Sequence, residues 1–435
     1  MSKKAKKNVK PRVTGFTFVR EAQGVFEYKL VANDLTVLID ERPGTEVITS
    51  NITYKVGARD EITGESGLAH MLEHMLFKPT KNDIKNKIDS GAMKFERDTG
   101  CILNANTWKD RTTYFFSYPK EYFSKAIAIE ADRMNNVVLS DKEFLPERGN
   151  VLSEFDMYFG DPYFALDKTM ISTAFHSHPY GHETIGHRED IENYTVEKLK
   201  MFYEKYYQPS NATLTISGDI QTKEALNIVK DSFSAIKNTQ TINKAYPLEP
   251  KQEGIRRDTV RRDSTMNIIS IGFKHAGFPS HEWFAVSTFL SVLADGPDSI
   301  LHRQLIDSNL ASRVSYSLEP GSDTNLATIS ITLVEGSKHE EIENKVLTTI
   351  RNLNKQDINK SVKKVFAKTL TEEVLTHSSS LGFAMELTEY IAADDWTKYF
   401  DTEKMLKSLN VKEVLEVKKL FADDNLTIGR FIGTA

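Results

Sequence analysis

The chain has 435 residues, 40% hydrophobic and 27% charged, with a formal net charge of −5 and a mean hydropathy of −0.41. At roughly 100–200 residues per domain, this length exceeds one comfortable core and calls for two domains or three. The small charge gives no reason to expect nucleic acid or an anionic membrane as a partner, and the lone Cys101 excludes both a disulfide framework and a cysteine-built zinc site.

Residues 1–12, "MSKKAKKNVKPR", are basic but carry no apolar segment, so they read as a solvated flexible tail and not as a secretory signal. No apolar run reaches the ~18 residues that would span a bilayer, and a cytoplasmic location is the default expectation. Residues 51–60 alternate as a strand does, and "GLAHMLEHMLFK" (67–78) has helical spacing. Residues 111–119 read as a strand, 121–134 as a helix, and "EFLPERGNVLSEFDMYFG" (143–160) as a further helix. "HSHPYGHETIGH" (176–187) clusters His176, His178, His182 and His187, which a Pro-Gly loop of solvated histidines explains adequately.

Residues 195–218 begin at a candidate N-cap, Thr195, run through an amphipathic helical pattern, and turn through an asparagine loop into an apolar strand ending in glycine. Residues 410–433 repeat this plan without a gap, starting at Asn410, which points to an internal duplication. Between the two halves, the polar stretch 237–254 reads as a linker. The second half alternates in the same way, with strand patterns at 265–273 and 326–334 around a helical pattern at 281–294. The expected architecture is α+β: residues 13–236 and 255–435 form homologous domains, each a mainly antiparallel sheet flanked by helices.

The helical stretch 67–78 carries the chemistry. At about 100° per residue, His70 and His74 share one face and Glu73 lies beside them. Two imidazoles at i and i+4 can hold one Zn2+, and a neighbouring carboxylate can take a proton from water. Catalytic zinc usually needs a third protein ligand. Glu147 and Glu154 are seven apart on one helical face, so either could complete the set while the other orients an imidazole.

These residues resemble the pitrilysin/insulinase family of zinc metallopeptidases, the inverzincins, and particularly its processing-peptidase-like branch. Besides "HMLEH", the family's order is followed by "LNANTWKDRTTY" (103–114), "EADRM" (130–134), "ERGNVLSE" (147–154), "HPYGHETIG" (178–186) and "YYQPSNATLTISGD" (206–219). The resemblance implies that His70, His74 and Glu154 bind one zinc, that Glu73 is the general base and that Glu147 supports a ligand histidine. It also implies that Asn104 and Ala105 lie on an edge strand that binds substrate backbone by strand addition. Two such chains would close into a clamshell around an extended peptide.

Two departures stand out. The interval from His74 to Glu154 is a few residues longer than the family's, and the extra length near "SGAMKFERDTG" (90–100) is expected to lengthen a loop. The family also often carries an arginine followed seven residues later by a tyrosine, which hold substrate opposite the zinc. Here the arginine position falls on Ile306 and the tyrosine position on Ser312 or Arg313. The expected protein is a zinc endopeptidase that acts on peptides or unfolded segments in an enclosed chamber. A homologous subunit would supply the arginine and tyrosine in a heterodimer, with a homodimer as the variant. The competing readings are a non-catalytic partner subunit and a metal- or peptide-binding module without turnover.

Overall fold

The computed structural model describes residues 12–435. The tail assigned to residues 1–12 therefore lies, but for Arg12, outside the described residues.

Two sheets organise the chain. The first contains β1 (Phe16–Ala22), β2 (Val25–Leu30), β3 (Thr36–Glu41), β4 (Val47–Tyr54), β5 (Ile102–Thr107), β6 (Thr112–Pro119) and β7 (Ala212–Gly218). Its order is β1-β2-β3-β7-β4-β6-β5, which leaves β5 on an edge. The second contains β8 (Arg256–Arg262), β9 (Asn267–His275), β10 (Ala311–Ser317), β11 (Asn325–Leu333) and β12 (Leu426–Gly433), in the order β10-β11-β9-β12-β8. Pairing is antiparallel except for β3 with β7 and β8 with β12. Laid side by side, β5-β6-β4-β7-β3 and β10-β11-β9-β12-β8 have the same order, the same directions and the parallel pair in the same place. The β1–β2 hairpin is an addition to the first sheet. The helix-turn-strand repeat expected at 195–218 and 410–433 ends in β7 and β12, which are equivalent in this scheme.

The chain divides into two compact units, one around each sheet, and one helix from each half of the sequence belongs with the other half's sheet. The helix Pro162–Ala174 packs on β12, β8 and β9, while the helix Ser380–Ala392 packs on β4 and β7. Both exchanges have a local cause. Gly272 and Gly429 make room on the second sheet: a Cβ at Gly429 would lie 2.6 Å from Met170 Sδ, and one at Gly272 would lie 2.9 Å from Met170 Cε. On the first sheet, the covered face is made of Thr49, Asn51, Thr53, Thr213, Thr215 and Ser217, all buried. Thr49 meets Ser380 at 3.0 Å, and Asn51 reaches Met385 Sδ at 3.3 Å. A contiguous split into 13–236 and 255–435 is thus crossed by two helices.

The 237–254 stretch forms neither helix nor strand but is fastened. Lys244 Nζ pairs with Asp60 at 2.9 Å, and Gln252 donates to the Leu426 carbonyl at 2.6 Å. One unit boundary falls between Lys244 and Ala245. The expected longer loop near residues 90–100 is instead a helix, Gly91–Thr99. Ser90 Oγ accepts from the Met93 N–H at its start, Gly100 closes it at φ 67°, and Phe95 packs edge-on against Phe116 and Tyr118. No helix among the described residues is long and apolar enough to cross a membrane.

Candidate metal centre

The helix Leu68–Met75 buries Leu68, Ala69, Met71, Leu72 and Met75, leaving His70, Glu73 and His74 half-buried on its other face. Its N-terminus has no side-chain cap of its own. The Glu61 carboxylate takes that role, accepting from the Gly67 and Ala69 N–H groups at 2.8 Å each, and its charge suits the positive end of the helix. Gly67 sits at φ 89°, and a Cβ there would lie 2.3 Å from the Ile185 carbonyl oxygen. The residue before Gly67 is pinned as well: Ser66 Oγ donates to Asp190 at 2.5 Å and accepts from the His187 N–H at 2.9 Å.

The helix Asp141–Gly160 brings Glu147 and Glu154 to these histidines. Glu147 Oε1 lies 2.9 Å from His74 Nδ1, its other oxygen pairs with Lys78 Nζ, and Asn150 Nδ2 donates to it at 3.2 Å. The hydrogen bond from His74, opposed by burial and reinforced by Lys78, holds the Glu147 carboxyl down at about 2. A carboxylate on Nδ1 fixes the tautomer in which Nε2 presents a lone pair.

His70, His74 and Glu154 each offer a ligand atom, and these atoms lie within 4.8 Å of one another. Ligands about 2.1 Å from a tetrahedral zinc are about 3.4 Å apart, so a small side-chain adjustment would bring this set to bonding distance. Two imidazoles and a carboxylate also suit zinc chemically. Among the described residues, this is the one His/Cys/Asp/Glu group that converges in this way. Glu73 lies beside it, and Thr107 at the end of β5 donates its hydroxyl to Glu73 Oε2 at 2.5 Å. On the same strand Asn104 is exposed and Ala105 buried, with Asn104 Oδ1 accepting from the Ala105 N–H at 2.8 Å.

The second histidine cluster does not gather. His178 is buried, accepts from the Tyr180 N–H through Nδ1 at 3.2 Å, and faces Asp323 through Nε2 at 3.2 Å. The clamp region behaves as ordinary structure. Ile306 ends the π-helical turn His302–Ile306, Arg313 stacks 5.1 Å over the Tyr163 ring, and the Tyr316 hydroxyl lies 2.9 Å from Ser291 Oγ. Lys78, Asn150, Thr107 and Glu61 escaped the sequence reading. Lys78 is one turn beyond His74 and so was visible as a neighbour of any second carboxylate, whereas Glu61 reaches the helix only through the loop's path.

A family model described as insulinase, peptidase family M16, matches residues 36–188, and one described as the peptidase M16 inactive domain matches residues 193–362. A Helicobacter pylori protein named zinc protease PqqE is 29% identical over 399 residues, 89% of this chain and 88% of that protein. The probable mitochondrial-processing peptidase subunit beta of Schizosaccharomyces pombe is 25% identical over 272 residues, 62% of this chain and 59% of that protein. The crystal structure of a protease from Helicobacter pylori matches with a TM-score of 0.83 and 28% identity, over 92% of this chain and 97% of that one. With the two models together spanning most of the chain and reaching both sheets, the chain belongs to the insulinase family of peptidases, M16.

Proposed function

We propose that this chain is the zinc-bearing catalytic subunit of an endopeptidase that cuts peptides or unfolded segments held in extended form. The observation that carries the reading is the convergence of His70, His74 and Glu154 within 4.8 Å, with Glu73 alongside. In this reading His70 and His74 bind one zinc through imidazole nitrogens, Glu154 completes the set, and Glu147 orients His74. Bound there, Zn2+ would polarise the scissile carbonyl and lower the pKa of a water molecule. Glu73 takes the proton from that water and later delivers it to the leaving amine, with the Thr107 hydroxyl holding its carboxylate in place. Asn104 and Ala105, on the edge strand β5, receive the substrate backbone by strand addition.

Replacement of the family's arginine and tyrosine by Ile306 and Ser312 or Arg313 supports a second subunit that supplies a substrate clamp. The kinship with a protein named as the beta subunit of a processing peptidase fits that arrangement. Purified chain is expected to contain about one zinc, and chelation to abolish cleavage. Glu73→Gln should retain the metal and lose turnover, because an amide cannot accept the proton. Cleavage near the wild-type rate by Glu73→Gln would remove the basis for this reading.

A further inference from the structure

The turn between β5 and β6 is held from two directions. On one side, the Ala58 and Arg59 N–H groups donate to the Trp108 and Lys109 carbonyls at 3.0 and 2.9 Å, and Arg59 pairs with Asp110 at 2.9 Å. Gly57 permits this approach, since a Cβ there would lie 2.2 Å from the Trp108 carbonyl oxygen. On the other side stands Arg111, whose side chain is only 4% exposed. Its Nε donates to Glu389 Oε1 at 2.9 Å, Nη2 reaches the same oxygen, and Nη1 donates to Asn106 Oδ1. Asn106 lies on β5, two residues from Asn104 and so on the same face of the strand. Glu389 comes from the exchanged helix Ser380–Ala392, far away in sequence.

The guanidinium thus joins the edge strand to a carboxylate fixed on a helix. That helix is itself fastened to the sheet through Ser380 and Met385, and just beyond its end Asp394 pairs with Lys55 at 2.6 Å. Burial pushes the Glu389 carboxyl up, and the Arg111 guanidinium beside it offsets only part of that rise. A strand that recruits a peptide needs its backbone groups aligned before the peptide arrives, and an edge strand has a neighbour on one side only.

We propose that Glu389 is a positioning residue for substrate: through Arg111 it fixes Asn106 and the edge strand β5 in the alignment that accepts a peptide. This rests on the reading of β5 as the strand that substrate joins. It makes peptide binding depend on a residue from the second half of the sequence, although β5 and the helix that carries the two histidines come from the first.

The test is equilibrium binding of a fluorescent flexible peptide to the full chain carrying Glu73→Gln, which prevents turnover. Adding Glu389→Gln, or adding Asn106→Ala, should each raise Kd roughly tenfold with zinc content unchanged. Because both act through one guanidinium, the two together should be no worse than either alone. A lowered Tm with unchanged Kd would overturn the proposal and leave the pair purely structural. If Glu389→Gln does not fold, Asn106→Ala decides, since it keeps the Arg111–Glu389 pair, and an unchanged Kd again overturns it. The same peptide N-methylated at alternate amides separates the two layers. Equal binding of both peptides would end the strand-addition reading and this proposal with it. Weakened binding of the methylated peptide, with no effect of Glu389→Gln or Asn106→Ala, would end the positioning role alone.

Discussion

At the scale of single residues, the two glutamates of one helix divide the work by their neighbours. Glu147 is buried and already engaged by His74, Lys78 and Asn150, which leaves its oxygens little freedom to turn toward a metal. Glu154, two turns on, places an oxygen in the group with both histidines. Glu154→Gln is therefore expected to remove most zinc affinity, read as metal content after dialysis. Glu147→Gln should weaken affinity by roughly 10–100-fold, because it loosens an imidazole and leaves the donor set complete. A reversed ranking in a zinc titration would exchange their roles. The His-x-x-Glu-His spacing and the Glu147–Glu154 interval were both legible, because residues on a helix advance by a fixed angle. Which glutamate groups with both histidines, and which is taken up by Lys78 and Asn150, depends on neighbours that the spacing does not encode.

At the scale of elements, the metal-site helix is placed by its N-terminus. Gly67 combines a left-handed φ with a carbonyl against its α-carbon, so an added methyl has nowhere to go and no flexible neighbour to displace. Gly67→Ala should cost roughly 2–4 kcal/mol and lower zinc content as well, since His70 begins one turn later. A melting curve and a metal assay on the same preparation check both effects.

The linker is an element of another kind. Burial opposes ionisation of Glu249, but the Ser177 and His178 N–H groups, Lys274 and Arg256 outweigh it and hold the carboxyl at about 2. A carboxyl with a depressed pKa contributes stability that is complete above its ordinary value of 4.5 and is lost as pH falls toward about 2. Glu249→Gln should accordingly lower Tm by several degrees at pH 7 and bring little change near pH 2, flattening the acid limb. An equal drop at both values would mean that Glu249 acts through packing and not through charge.

For the whole molecule, the proposed zinc ligands and the residues at the expected clamp positions pull in different directions. Holding a peptide in an attack-ready geometry can contribute several kcal/mol to rate acceleration. Here the positions expected to do so carry Ile306 and Ser312 or Arg313, while the Arg313 and Tyr316 side chains are engaged with Tyr163 and Ser291. The chain alone is expected to cleave flexible peptides poorly and to gain activity with a homologous subunit that lacks the zinc motif and keeps the arginine and tyrosine. Robust turnover by the isolated chain, unaffected by such a partner, would sink the heterodimer while leaving the zinc chemistry standing.

What the sequence determined by itself is what short-range geometry encodes. Helical periodicity placed His70, Glu73 and His74 together, and runs rich in β-branched and aromatic residues located the strands at 111–119 and 326–334. The matched stretches at 195–218 and 410–433 disclosed the duplication that the two sheets display in their strand order. The exchange of helices was not accessible in the same way. Along β4 and β7, Thr49, Asn51, Thr53, Thr213, Thr215 and Ser217 alternate with apolar residues, a pattern that in an antiparallel sheet ordinarily goes with one face in water. Only the tertiary structure shows that face buried under a helix from beyond residue 375, with hydroxyl and amide groups of the sheet meeting partners on the helix. A threonine that ends up paired and a threonine left in water look the same in a sequence. The difference lies in a partner more than 300 residues away, which no local period can encode.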